Sequence, residues 1–414
     1  MDRISIAKRN FIFMTCEGVC FFCAQTFMDA TSIIPLFIVS YTGSLALTGL
    51  SMTIKNTIFF IPQIMIGPFI DRIKNMPGYL TKVMFISRPI IFLMVPVLLL
   101  NIDHYLTVGI FFAIYTLIYI GEGFINTPWL VLLNRTIPPD RRGKLLGNQQ
   151  MFSGLAGIAG GIVIKMILDD RYISDGARFA MIFGIAGIFS FMSGVCMSFA
   201  RDNERKIDPD EIKMISYFKK LPLYIKSNKD YLNIVIIQLL SGFTGMIAPF
   251  VVLFCKDYFK LQPQGVSMLV YSQIIGALIG GYVWGELSRR IGNKYVVMVS
   301  QLVGLLIGAA APLITGFNLK AFSAASFIMA FLNGIYAGCW LGFVNYIMDV
   351  VEEKLAPVYL TITNILTFPN TFLFYIAGII AGKYGYIPIF TMSAAGAFIA
   401  FVLSLGLKTK AQLY

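Results

Sequence analysis

GPFIDRIK, residues 67–74, returns in the second half of the chain as GELSRRIGNK, residues 285–294. Each copy runs glycine, three residues, a polar or charged residue, arginine, isoleucine and then a tight basic turn. Asp71 and Arg72 hold the charged pair of positions in the first copy, and Arg289 and Arg290 in the second. Working outward, both copies are flanked by long apolar runs. A membrane-spanning helix needs about 20 mainly apolar residues. On that measure spans are expected over roughly 10–41, 44–70, 80–100, 105–133, 145–168 and 173–200. Six more are expected over 231–255, 263–287, 295–315, 321–348, 355–381 and 386–407. The repeated loop follows the second span of each set of six, so the chain reads as two related halves.

Composition supports lipid as the medium. Of 414 residues, 57% are hydrophobic and 13% charged, with a mean hydropathy of +0.76. A water-soluble fold with so few charges could not cover its surface. Cys16, Cys20, Cys23, Cys196, Cys255 and Cys339 all lie in or beside apolar runs, which argues against a disulfide framework. Three cysteines on one helix face cannot complete a tetrahedral metal site, so neither a metal nor a cofactor is expected. The basic N-terminus leads into an apolar run too long for a cleaved signal.

The net charge of +12 reports orientation rather than nucleic-acid binding. With the N-terminus cytoplasmic, 24 of the 33 Lys and Arg residues fall in inner segments and 5 in outer loops; Lys55, Arg88, Lys165 and Arg178 lie within spans. That split predicts both termini in the cytoplasm. The halves are expected at 1–200 and 231–414, joined by a cytoplasmic linker over 201–230. Within the linker, residues 212–225 carry an apolar stripe among lysines, consistent with a surface-lying amphipathic helix or a solvated linker.

The repeated loop resembles the Gly-x-x-x-Asp-Arg-x-Gly-basic loop of the major facilitator superfamily, and Asn134–Gly143 is similar to that family's connection between helices 4 and 5. The resemblance implies an all-α membrane protein with two six-helix bundles related by pseudo-two-fold symmetry. It also implies a central cavity lined mainly by helices 1, 4, 7 and 10 that opens alternately to each side. Gly67, Asp71, Arg72, Arg289 and Arg290 would then form a conformational latch. Lys74 stands where the family's first loop has glycine, and Arg289 replaces the acidic residue of the second. Helix 4 carries Glu122 instead of an arginine, and helix 5 lacks the proline of the antiporter signature.

Ionisable side chains inside a bilayer cost at least ~2.5–3.5 kcal/mol and mark function by default. At about 1.5 Å per residue, Asp29 lies roughly 18 Å below the outer end of helix 1, and Lys55 and Glu122 lie roughly 16 Å into helices 2 and 4. Asp29 and Lys55 share a depth and are candidates for a pair; Glu17 and Arg88 are candidates for a shallower one. Glu122, between Gly121 and Gly123, is the first candidate for proton coupling and Asp29 the second, because a buried carboxylate can take up and release a proton. Asn126 and Trp129 follow Glu122 on the same helix. The second half has no deep acid and offers neutral groups instead: Gln238, Thr244, Asn333, Tyr336 and Trp340 as candidate cavity residues.

The expected function is therefore alternating-access transport of a small organic solute in a bacterial cytoplasmic membrane. It is expected to be proton-coupled, with export placed ahead of uptake, by a monomer surrounded by lipid. An uncoupled facilitator and a nutrient or peptide symporter stand as alternatives, with a lipid flippase or a transporter-like receptor behind them. No Gly-x-x-x-x-Gly-Lys-Ser/Thr loop is present, so neither ATP drive nor an enzymatic activity is expected.

Overall fold

The structure, a computed structural model, describes residues 3–66, 69–70, 73–100, 102–170, 172–202, 229–317, 323–351, 355–409 and 412. Among them twelve helical segments are long and apolar enough to cross a membrane. They are α1 (Ser5–Phe27), α2 (Leu45–Gln63), α3 (Met76–Leu99), α4 (His104–Thr136), α5 (Arg141–Asp169) and α6 (Asp175–Ser198). The second set is α7 (Lys229–Phe259), α8 (Pro263–Ile291), α9 (Asn293–Gly316), α10 (Ala324–Val350), α11 (Tyr359–Tyr384) and α12 (Ile387–Leu405). The expected amphipathic helix over 212–225 lies outside the described residues.

Several spans are interrupted where the sequence reading drew them continuous, and proline accounts for most of the breaks. A proline inside a helix removes one hydrogen bond, and its ring collides with the carbonyl four residues earlier. The first span therefore stops at Phe27 and resumes as a separate helix, Ile33–Thr42, with Pro35 in its first turn. Pro89 opens a 3-10 turn, Arg88–Leu93, within α3. Pro249 sits in a 3-10 turn, Ala248–Phe250, within α7, and Pro369 precedes the second part of α11. A further break, at Gly338 and Cys339 in α10, has no proline. Helix α3 also begins at Met76, ahead of the expected residue 80, because the Asn75 side chain accepts the Gly78 N–H and caps it.

Contacts divide the chain into two compact units: Met1–Gly43 with Ile54–Glu211, and Ser44–Thr53 with Ile212–Tyr414. In the first unit α6 packs against α1 and against α3. In the second α12 packs against α7 and against α9, the same pairs of positions. The internal repeat of the sequence is thus also a repeat of packing.

Within the first unit, apolar clusters occupy the two ends. Met14, Met76, Leu80, Met84, Leu132, Leu133 and Met197 are buried together at the end that holds the N-terminus. Phe37, Phe111, Phe179 and Phe183 stack at the other end, with ring centroids 5.0–6.3 Å apart. The Asn10 amide clasps the end of α6, donating to Arg201 O at 2.6 Å and accepting from Arg201 N at 2.8 Å. In the second unit Lys408 holds Asp230 at 2.9 Å, and the Tyr386 hydroxyl donates to Asp257 at 2.7 Å. Burial and that carboxylate push the Tyr386 phenol up from its ordinary value.

Candidate functional site

Two glycines set how closely α4 meets its neighbours. A Cβ on Gly121 would lie 2.1 Å from Ser87 Cβ on α3, and one on Gly123 would lie 2.6 Å from the Phe59 carbonyl on α2. The space that flanking glycines leave beside Glu122 is therefore filled by helices on both sides. Ser87 is followed by Arg88, the first residue of the 3-10 turn, and this close approach brings Arg88 to Glu122.

The contact is a two-point fork. Arg88 Nε donates to Glu122 Oε1 at 2.7 Å, and Nη2 donates to Oε2 at 3.1 Å. Its third nitrogen, Nη1, donates to Glu17 Oε1 on α1 at 2.6 Å and to Ser193 Oγ on α6. The second oxygen of Glu17 accepts from the Trp129 indole N–H at 2.9 Å. The Phe21 ring covers the guanidinium, 4.4 Å from its carbon to the ring centroid. Glu17, Arg88 and Glu122 are 2%, 4% and 5% exposed, so water has almost no access to the cluster. One guanidinium thus ties four helices together and faces two carboxylates. When both are ionised the cluster carries one negative charge in excess, and burying net charge is costly.

Asp29 and Lys55, level in the depth count, do not meet. Asp29 Oδ1 accepts from Thr31 N at 3.0 Å, Thr31 Oγ1 at 2.8 Å and Ser32 Oγ at 2.6 Å. It thereby satisfies the break before Ile33 from within the same chain segment. Lys55 lies instead over the Tyr119 ring, with Nζ 5.7 Å from its centroid. Asn126 donates to Gln63 Oε1 at 3.3 Å, and Tyr119 donates to Gln25 Oε1 at 3.4 Å. Tyr115, Tyr119, Glu122, Asn126 and Trp129 follow one another at steps of four, three, four and three, so they share one face of α4. Phe21, Gln25, Tyr119 and Ser193 were not singled out in the sequence. For Tyr119 and Phe21 the available signal was helical spacing, three residues before Glu122 and four after Glu17.

In the second unit the buried polar groups are neutral. Ser241 Oγ on α7 donates to Gln301 Oε1 on α9 at 3.0 Å, and Gln301 Nε2 donates to Ser300 Oγ at 3.1 Å. Tyr336 is buried, and the buried Thr244 hydroxyl has no hydrogen-bond partner among the described residues. Asn333 donates to the Ala248 carbonyl at 3.1 Å, at the break in α7, and to Gln273 Oε1 at 3.4 Å. Gln238 Oε1 is buried without a hydrogen-bond partner among the described residues, and Asn370 donates to the Gln238 and Leu239 carbonyls. Trp340 is largely exposed.

The sequence profile of the Major Facilitator Superfamily matches residues 18–368, most of the chain. The chain belongs to this superfamily. Comparison with curated proteins by sequence gives no match. Among solved structures, the D-xylose-proton symporter is 12% identical, with a TM-score of 0.73, and 99% of each chain is covered. A mutant of the nucleoside transporter NupG is 13% identical at a TM-score of 0.70, covering 96% of this chain and 98% of its own. A bacterial homologue of the human lysosomal transporter Spinster, in an inward-facing and unoccupied conformation, is 13% identical at 0.64, covering 98% and 97%. At these identities the likeness is one of fold.

The superfamily's repeated loop is described only in its second copy, since Gly67, Asp71 and Arg72 lie outside the described residues. Arg289 and Arg290 are exposed at the end of α8, and both turn back onto Glu286 of the same helix, Arg289 Nη2 at 2.6 Å. The ties to other helices come from Asn293, which donates to Asp349 on α10 at 2.6 Å and accepts from Ser288 at 2.6 Å, and from Lys294, which donates to the Leu405 carbonyl of α12 at 3.1 Å. This superfamily loop therefore holds α10 through an amide, with its arginines paired locally.

Proposed function

We propose that this multi-pass membrane transporter is a secondary active carrier of a small organic solute, coupled to protons through Glu17, Arg88 and Glu122. The observation that carries the reading is that both carboxylates sit on one buried guanidinium. A fork from arginine is the arrangement that best suits an ionised carboxylate, and Glu122 receives it. Glu17, on one guanidinium N–H and one indole N–H, is the carboxyl that takes and yields the proton. One proton removes the excess charge of the cluster. Its loss restores that charge and favours a state in which the cluster meets water.

The Lys and Arg distribution supports a cytoplasmic location for both termini, in a bacterial cytoplasmic membrane. Fold neighbours named for xylose and nucleosides support a small organic solute as cargo. Export in exchange for protons is the first direction to test, and uptake with protons the second.

The test uses the purified protein in liposomes with a pH-sensitive dye trapped inside. Pentoses, nucleosides, dipeptides and monocarboxylates are added in turn, and labelled-solute flux is measured alongside. With the natural chain at least one solute drives proton movement, and the sign of the pH change gives the direction. Glu17→Gln and Glu122→Gln each abolish proton movement while solute exchange continues. Equal solute flux with and without a pH gradient, with a silent dye, would make the protein an uncoupled facilitator.

A further inference from the structure

The proton-handling cluster leaves one membrane-embedded cation unused. Lys55 lies near the middle of α2, about 15 Å from its Leu45 end and about 12 Å from its Gln63 end at 1.5 Å per residue. An ammonium at that depth is costly unless it is paired or meets water. No carboxylate lies within 4 Å of Lys55 Nζ among the described residues; its recorded contact is the Tyr119 ring. The acid at the same depth, Asp29, is occupied by three donors from Thr31 and Ser32. Glu17 and Glu122 are committed to Arg88. The side chain is half-buried.

We propose that Lys55 is the docking point for an anionic group on the transported solute, a carboxylate or a phosphate. The proposal rests on the carrier reading above and names the class of its solute. Lys55 supplies the charge. Gln25 and Tyr119, already joined by a hydrogen bond, supply a neutral donor and a hydroxyl beside it. About two turns further along α2 and α4, Gln63 and Asn126 form an amide pair. An anionic solute with polar substituents fits this run: its charge on Lys55, its neutral groups on the Gln25–Tyr119 pair and, in a longer solute, on the Gln63–Asn126 pair. Tyr119 is also three residues from Glu122 on one face of α4, so the solute's charge falls within a turn of the proton-handling pair.

Binding is read without any gradient, by thermal unfolding of the detergent-purified protein at constant ionic strength. The probes are inorganic phosphate, sugar phosphates, and mono- and dicarboxylates of two to six carbons, with xylose as the neutral control. At least one anion raises the unfolding temperature in a saturable way, and which class does so separates a carboxylate from a phosphate cargo. Lys55→Gln weakens that binding about thirtyfold or more, the loss expected when one member of a buried ion pair is truncated. Lys55→Arg, which keeps the charge, retains it. If no anion shifts the natural protein, or if xylose alone does, the assignment is overturned. An equal anion shift in Lys55→Gln overturns it as well, as a general salt effect. The proton reading fails separately, through a silent dye in liposomes, while the anion shift persists.

Discussion

In the first unit a guanidinium and two carboxylates join α1, α3, α4 and α6. In the second unit α7, α9 and α10 are joined through Ser241, Gln301 and Asn333, and none of these carries a charge. Both units repeat the same helix packing, so the difference is not imposed by the scaffold. Charge in a low-dielectric interior makes an arrangement sensitive to the gain or loss of one proton. Amides and hydroxyls keep their bonds through such a change. The contrast teaches that two repeats with the same packing can differ in kind inside, one holding buried charge and the other neutral hydrogen bonds.

The largest expected effect comes from removing the shared cation. Arg88→Ala leaves two carboxylates buried without their cation, at a cost of about 3–5 kcal/mol. It should appear as loss of folded protein or a steep fall in unfolding temperature. Replacing all three charges together, as Glu17→Leu, Arg88→Met and Glu122→Leu, should restore stability to the natural level or above it, yet leave proton movement absent. If the triple variant were as unstable as Arg88→Ala, the cluster would be a structural element and the contrast between the units would lose its functional meaning.

A smaller effect is expected at the contact that sets the fork. Gly121→Ala places a methyl group against Ser87 and should cost about 1–3 kcal/mol through overpacking. Adding Ser87→Gly should recover most of the unfolding temperature, which distinguishes a packing fault from a charge fault. The smallest effect belongs to the neutral unit. Ser241→Ala removes one donor from Gln301 and should cost about 1 kcal/mol, with solute-driven proton movement preserved. Loss of coupling in that variant would sharpen the comparison in the opposite sense, by bringing the second unit into the coupling path.

Spans, their number and the internal repeat were legible in the sequence because the length of an apolar run reports directly on membrane thickness. Counting residues along those runs also gives an expected depth for Asp29, Lys55 and Glu122. It does not give azimuth. Whether Asp29 turns toward Lys55 or back toward Thr31 depends on rotation about the helix and on the break before Pro35, and one-dimensional counting holds neither. Glu122 was the first candidate for coupling, but its fork with Arg88 depends on a helix contact set by Gly121 and Ser87, which lie 34 residues apart in sequence. Trp129, taken as a cavity residue, is spent on Glu17. Ser193 gave no signal, being one of many serines in apolar helices.

The backbone contacts on either side of Glu122 bear on how the carboxylate can move. Gly121 presses α4 against α3, and Gly123 presses it against α2, so the stem of the side chain is clamped from two directions. Helix translation at that level would drive α4 into the Ser87 side chain on one side and the Phe59 carbonyl on the other. Without such translation, Glu122 and Arg88 part by turning their side-chain torsions. The packing of α4 and the Glu122–Arg88 fork are thus set at one level of the helix, and a side chain added at either glycine would reach the ion pair through the backbone.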